Sequence, residues 1–397
     1  MNWYKQFKHP KVYISLYSSI IILLFFVLFT GSAIIFSLCL LIGFFILLNN
    51  KYLDYLSQKV RVPTEKHIIR LYPEDKGELL IPVENNGKLP IFSGDFRFEL
   101  HDSEKAVKVV DMADSYDSFY HYRMSLLPQK RKKHKVRLKA LKRGIVQVRS
   151  IEFTIYDLLS FGSAKLSYLG NYRGEVIVYP TIKPVLGIER VIQSENGDQQ
   201  KNSLHEDIMQ SIGTRDYISS DPFNKINWKA TAKSQQLQTK VFEKTTVSKW
   251  TMVINMKDDQ RLRIDNLEQV LSNVAYCCQY ATINNIQYEI FVNIKTPGAV
   301  CLHLPLGSGK VHLMKALEFL ARIRKDSSTI KSTYMLNTVR KSVSPVVLHF
   351  GAFNMETYRL YTDWKRRKNI VIYQLHIEGE NGHFVRIGGV KNEVMAN

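Results

Sequence analysis

The chain has 397 residues, with 55 Lys and Arg against 36 Asp and Glu and a formal net charge of +19; its sequence pI is near 9.6. That length excludes a single small module and fits two or three domains. So basic a balance ordinarily points to nucleic acid or to an anionic surface. No nucleic-acid reader motif is present, so specific nucleic-acid binding is not expected.

Residues 12 to 48 contain no charged side chain. This stretch is too long for one ordinary membrane helix, which needs about 20 apolar residues. Thr30-Gly31-Ser32 offers a turn between two spans, near 12 to 29 and 33 to 49. The apolar region of a signal peptide is about 7 to 15 residues, far shorter than this one, and no small-x-small cleavage site follows. Lys5, Lys8 and Lys11 precede the first span, and Lys51, Lys59 and Arg61 follow the second. Basic flanks stay on the cytoplasmic side. The pattern therefore predicts a helical hairpin over 1–60 in the cell membrane, with two spans and cytoplasmic soluble domains. Basic residues on both sides argue against one long tilted span with the soluble part outside.

Residues 61–183 read as a series of short alternating strands, at 78–83, 96–100, 136–141, 145–148 and 175–179, with Asn85-Asn86-Gly87 as a turn. With no strong helical pattern among them, they predict an all-β sandwich. No acid, base or nucleophile cluster occurs there, which favours a structural or recognition role. The densest basic run, Lys130-Arg131-Lys132-Lys133-His134-Lys135, has two readings. It touches anionic lipid, worth about 1 kcal/mol per Lys or Arg near the surface, or it is a solvated loop between strands. Residues 184–210 are polar and read as a linker.

In 211–397 the period changes. Strand-like runs at 250–255, 288–294, 346–350 and 370–375 alternate with helical runs at 311–323 and 355–368. Leu267, Val270, Leu271, Val274, Cys278 and Ala281 trace one further helical face. Alternation of this kind implies an α/β domain with a largely parallel sheet covered on both faces. The four cysteines, Cys39, Cys277, Cys278 and Cys301, show no CxxC or Cys/His ligand spacing. Reduced, packed thiols are expected. Gly307-Ser308-Gly309-Lys310 fails as a P-loop, because Leu304 stands at the first glycine position and Val311 at the hydroxyl position. A turn before a helix suffices.

The most unusual segment is 213–243, GTRDYISSDPFNKINWKATAKSQQLQTKVFE. Asp221-Pro222 reads as a helix start, Asp capping free N–H groups and Pro preorganised for the first position. On that helix Phe223, Ile226 and Ala230 share one face, and Lys225, Lys229 and Lys233 recur beside it at i+4. Trp228 projects away from the apolar stripe. It is expected to be a packing anchor, with Lys229 and Lys233 on an accessible basic face.

Arg215, Tyr217, Asp221, Ile226, Trp228, Thr231, Ala232 and Lys233, completed by Lys240, Phe242 and Glu243, resemble the signature of the DUF58 family. Ser220 and Lys225 depart from it, standing where that family usually has glycine and arginine, and the first bears on a turn that needs positive φ. Lys142-Arg143-Gly144 and Tyr156-Asp157-Leu158-Leu159-Ser160-Phe161 look like a second segment of the same family, with Leu158 and Ser160 in place of its Pro and Gly. The resemblance implies a membrane-anchored bacterial protein with a von Willebrand factor A-like (Rossmann-type) C-terminal domain and a MoxR-type AAA+ ATPase as partner.

In that fold the first strand usually ends in D-x-S-x-S around a divalent ion. Here Asn255-Met256-Lys257-Asp258-Asp259 puts an amide at the acid and an ammonium at a ligand position, so neither metal nor other cofactor is expected. The function expected is a membrane-tethered, non-enzymatic adaptor. Its candidate residues are Arg215, Asp216, Tyr217, Asp221, Trp228, Lys229, Lys233 and Glu243. Two alternatives remain open: that these charges form an internal ion-pair network, and that carboxylates with Tyr217 serve a cell-envelope or protein-processing enzyme.

Overall fold

The computed structural model describes residues 3–8, 11–63, 65–110, 119–170, 172–192, 206–244, 248–257, 266–368, 370–379 and 381–388. The chain divides into two compact units, Met1–Thr181 and Ile182–Asn397.

In the first unit a strand, β1 (Trp3–Lys8), precedes two helices, α1 (Lys11–Thr30) and α2 (Ala33–Lys59). Both helices are long and apolar enough to cross a membrane. Ten strands follow: β2 (Val60–Arg61), β3 (His67–Leu71), β4 (Lys76–Asn85), β5 (Ile91–His101), β6 (Val107–Val109), β7 (Phe119–Leu126), β8 (Arg131–Ala140), β9 (Gly144–Tyr156), β10 (Ser163–Tyr168) and β11 (Gly174–Val178). One sheet runs β1-β10-β9-β11-β3, with β5 on β9 and β7 on β5; the other runs β2-β4-β8-β6. Alternate residues face inward, as strand geometry requires. Leu79, Ile81, Val83, Val136 and Leu138 of one sheet meet Phe96, Phe98, Val146, Phe153 and Ile155 of the other in one core. This is the β-sandwich anticipated from the alternation.

Three expectations are corrected in this unit. The second helix does not end near residue 49; it continues to Lys59, because Tyr52, Leu53 and Leu56 pack into the sandwich core. The N-terminal flank belongs to the sandwich as well, since β1 pairs with β10 over its whole length and the Trp3 indole donates to the Val60 carbonyl at 3.0 Å. The basic run is strand β8, not a loop. Its outward charges are partly matched by carboxylates: Arg131 meets Glu65 at 2.6 Å and Glu84 at 3.5 Å, and Lys135 meets Glu78 at 3.3 Å.

A buried carboxylate ties α1 to the sandwich. Asp157, 3% exposed, accepts from the Tyr13 hydroxyl at 2.7 Å and from the N–H groups of Phe161 and Gly162 at 2.8 and 2.7 Å. Gly162 is required by close approach, since a Cβ there would lie 2.9 Å from the Tyr13 ring. In the same turn Ser160 has φ 60, a left-handed position that favours glycine.

The second unit begins with β12 (Val185–Leu186), β13 (Glu206–Asp216), α3 (Trp228–Ser234) and β14 (Gln238–Lys244). Then come β15 (Lys249–Asn255), α4 (Leu267–Ile283), β16 (Gln287–Val292), β17 (Leu302–Gly307), α5 (Gly309–Ala321), α6 (Ser332–Ser342), β18 (Val346–Gly351), α7 (Met355–Lys368), β19 (Val371–Glu378) and β20 (Asn381–Arg386). The linker expected at 184–210 is shorter, because β12 pairs with β20, Ile188 and Val191 are fully buried, and β13 starts at Glu206. The middle of that segment lies outside the described residues.

The sheet is mixed, in the order β12-β20-β19-β18-β15-β16-β17. Its centre, β19-β18-β15-β16, is parallel, while β17 and β20 pair antiparallel at its sides. Side-chain parity assigns the two faces. Met252 meets Cys278 of α4 and Tyr288 meets His312 of α5 on one face. On the other face Val253, Phe291, Val347 and Ile372 pack with Met335, Leu336 and Val339 of α6 and Tyr361 and Trp364 of α7.

That second face holds a buried histidine. His349 lies between the Tyr361 hydroxyl, 2.8 Å from Nδ1, and the Ala352 carbonyl, 2.9 Å from Nε2. A carbonyl only accepts, so Nε2 carries the proton and Nδ1 accepts from Tyr361. Burial holds the pKa of this imidazole down to about 4.

Two outcomes are expected. Tyr13→Phe removes one donor from a buried carboxylate and should destabilise the purified full-length protein by about 1.5–3 kcal/mol, read as a lower melting temperature in detergent. Between pH 6.5 and about 4 an unfolded His349 takes a proton that the folded one refuses, so stability should fall with acidification across that window. The added slope should approach about 1.4 kcal/mol per pH unit, and His349→Gln should flatten it in denaturant melts at stepped pH.

Candidate functional site

The unusual segment folds as a hairpin around a short helix. β13 and β14 pair antiparallel, with Arg215 opposite Thr239 and Asp216 opposite Gln238. Between them the chain makes one 3-10 turn at Phe223–Lys225, then α3.

A two-toothed ion pair closes the loop. Arg215 Nη1 and Nη2 lie 2.8 and 2.6 Å from the two Asp221 oxygens. Asp221 also accepts from the Ile218 N–H and the Thr239 hydroxyl, both at 3.1 Å. Parallel N–H···O bonds of this kind carry geometric specificity as well as energy. The Arg215 guanidinium holds the Asp221 carboxyl below the usual carboxylate range, helped by the Ile218 N–H and the Thr239 hydroxyl. Asp216 accepts from the Gln238 amide at 2.6 Å. Tyr217 is half-buried, its ring 6.0 Å from that of Phe223.

Asp221 therefore does not cap a helix starting at Pro222, as the sequence suggested. Its oxygens face Arg215, and the cap of α3 is Asn227, whose side chain accepts from the Ala230 N–H at 3.2 Å. Nor does Ser220 take a positive φ; the left-handed residue is Gln235, which ends α3.

Trp228 is the larger correction. It was expected to be a packing anchor and is 66% exposed. The inward side of this short helix is already occupied: Ile226, 3% exposed, bridges to Thr239, and the Thr231 hydroxyl accepts from the Gln238 N–H at 3.0 Å. Phe223 (73% exposed) does not share a buried face with Ile226, because the chain between them is a 3-10 turn. Lys229 and Lys233 are exposed. Glu243 sits in β14 opposite Asp207, and its side chain lies outside the described residues. Sequence reasoning missed Asn227, Thr231, Gln238 and Thr239 as the residues that fix the helix. Only Asn227 carried a signal, as a capping type three residues before Ala230.

At the carboxyl ends of the parallel strands two buried amides meet. Asn293 Nδ2 donates to Asn255 Oδ1 at 2.7 Å, Asn255 Nδ2 donates to the Ala352 carbonyl at 2.8 Å, and the Met256 N–H donates to Asn293 Oδ1 at 2.8 Å. Asp258 and Asp259 lie outside the described residues. Four residues back along the same strands Glu289 accepts from the Thr251 hydroxyl at 2.8 Å and faces His303 Nε2 at 3.2 Å. Among the described residues no group of three or more His, Cys, Asp or Glu could hold a metal.

No protein-family model matches the chain, and no curated protein does. Solved structures give partial likenesses. The CARDB domain of a Pyrococcus furiosus protein, in complex with di-metal ions, is 14% identical over 30% of this chain and 87% of its own, with a TM-score of 0.17. A cohesin module from a Clostridium perfringens family 33 glycoside hydrolase is 12% identical over 30% of this chain and 95% of its own, at 0.19. Trypsin-activated alpha-2-macroglobulin from Escherichia coli is 13% identical over 43% of this chain, at 0.20, and the match spans only 9% of that protein's length.

The Arg215–Asp221 pair has a direct signature. Because the Asp221 pKa is lowered, the stability it contributes is present above the unfolded carboxyl's range and is lost as pH falls through the lowered value. Carboxyl NMR should place the Asp221 midpoint below 3.8, and Arg215→Gln should move it upward. An unchanged midpoint would show that the pair does not persist in solution.

Proposed function

We propose that this chain is a DUF58-type, membrane-tethered adaptor: two spans, a sandwich, and a von Willebrand A-like unit that presents the hairpin to a partner. The observation that carries this reading is the exposure of Phe223 (73%) and Trp228 (66%) on a loop clamped by the Arg215–Asp221 pair. Large aromatics bury about 150–250 Å² each when covered. Binding hot spots are enriched in Trp, Tyr and Arg. A loop held by an ion pair and a capped helix presents such groups with little ordering cost on binding.

The exposed Lys229 and Lys233 beside Trp228 favour a partner surface of acidic character. In the family this chain resembles, that partner is a MoxR-type AAA+ ATPase, which would supply the ATP hydrolysis. Four parallel strands with helices on both faces support the von Willebrand A-like reading. Support for two spans comes from the length and apolarity of α1 and α2, and for a cytoplasmic domain from the basic residues on both flanks.

The test is retention from detergent-solubilised membranes. Phe223→Ala with Trp228→Ala should leave the melting temperature near wild type, since exposed positions usually shift stability by no more than about 0.5 kcal/mol. Recovery of the ATPase should fall at least about tenfold, the equivalent of about 1.4 kcal/mol. Full retention by the double variant, or a collapse of the fold, would overturn the assignment of this surface.

A further inference from the structure

We propose that the membrane-proximal rim of the sandwich, formed by Phe92, Leu158 and Leu159, is seated in the headgroup–acyl boundary of an anionic bilayer. The inference rests on the reading that α1 and α2 cross the membrane. It concerns a different surface from the hairpin.

The outward apolar stretch of α2 is shorter than a bilayer's hydrocarbon core. On α1 the outward apolar stretch begins at Val12, 42% exposed, beside Tyr13, which is buried against Asp157. From 12 to 30 it spans about 28 Å at 1.5 Å per residue. On α2, Leu48 is exposed whereas Asn49, Tyr52 and Leu53 are buried, so the segment left for lipid, 33 to 48, spans about 24 Å. A bilayer's hydrocarbon core is about 30 Å thick. α2 thus falls short by about 6 Å, a mismatch met by thinning the bilayer or by anchoring flanking residues at its interface.

Exposed apolar side chains stand where the helices meet the sandwich. The turn between β9 and β10 lies beside the first turn of α1, because Lys8 is opposite Ser163 and Tyr13 bonds Asp157. β5 runs antiparallel to β9, with Gly94 opposite Ile155, so the start of β5 shares this end of the sheet. Next to it the Tyr52 hydroxyl of α2 donates to the Pro90 carbonyl at 2.6 Å. At this end Phe92 is 64% exposed, Leu158 39% and Leu159 49%. Lys51 on α2 and Lys88, whose backbone N–H donates to the Tyr55 hydroxyl, are exposed beside this end. Apolar residues and lysines together at the point of entry suit an anionic leaflet, where apolar groups sit about 5–10 Å into the interface and each basic residue near the surface adds about 1 kcal/mol.

The test uses the full chain in vesicles of phosphatidylcholine and phosphatidylglycerol with upper-chain brominated lipid as quencher. Phe92→Trp and Leu159→Trp are compared with Leu169→Trp, at an exposed position beyond the far end of β10. The emission added at Phe92 and Leu159 should fall at least about twofold, as groups within bromine's short reach of the interface do, and that added at Leu169 should not change. Equal indifference at all three sites, in chains that resist alkaline carbonate extraction, would overturn the rim contact while leaving the spans standing. Protection at Phe92 and Leu159 from both brominated lipid and aqueous iodide would overturn it in favour of a protein covering the rim. Release by carbonate would sink the spanning reading, and this inference with it.

Discussion

One helix serves two solvents, and the first unit depends on it. α2 leaves an apolar, outward-facing stretch at Leu48 and enters the sandwich core at once, with Tyr52, Leu53 and Leu56 at 7%, 2% and 0% exposure. Burying three such side chains is worth roughly 5–9 kcal/mol at about 1.5–3 kcal/mol each. Whole domains are stable by only about 5–15 kcal/mol. The sandwich is therefore not a separate module hung from a tether, because the upper half of α2 supplies part of its core. The pairing of β1 with β10 and the bond from Tyr13 to Asp157 fasten the other side of the same arrangement. A boundary drawn near residue 60 by composition cuts through this core.

What the sequence made legible follows from period. Alternation at 136–141 and 145–148 found β8 and β9, and the helical face through Leu267, Val270, Leu271, Val274, Cys278 and Ala281 is buried as that spacing implies. α6 escaped notice although Ser332, Met335, Leu336 and Val339 keep the i, i+3, i+4, i+7 pattern, because Thr, Asn and Ser around them dilute it. β17 and β20 were missed for a different reason. They are antiparallel side strands, which carry fewer of the long apolar runs that mark the buried parallel strands of the centre.

The candidate site was legible in composition and not in geometry. Arg215 and Asp221 stand six residues apart in sequence, and nothing in that spacing says that they meet across a turn. Asp221-Pro222 looked like a cap because both residue types suit one; the carboxylate instead takes two parallel bonds from the guanidinium opposite, which add geometric specificity to the energy of a charge-assisted pair. The exposure of Trp228 was hidden for a related reason. A seven-residue helix, Trp228–Ser234, has only one inward side, and Thr231 and the residue just before the helix, Asn227, take it with hydrogen bonds to strand β14.

Both faces of the C-terminal sheet are closed by apolar packing, and the second carries a row of buried polar groups as well. One face is closed by apolar packing against α4, down to the fully buried Cys277 and Cys278 of that helix, and burial pushes both thiols up. The other packs α6 and α7 and also buries Glu289, His349, Asn255 and Asn293, each held by named partners. Removing one partner from such a group leaves a buried polar atom unsatisfied, at about 1–3 kcal/mol. A sheet built this way resists rearrangement at its carboxyl ends. In the adaptor reading, binding energy at the clamped hairpin would then go into holding the partner and not into reshaping the sheet.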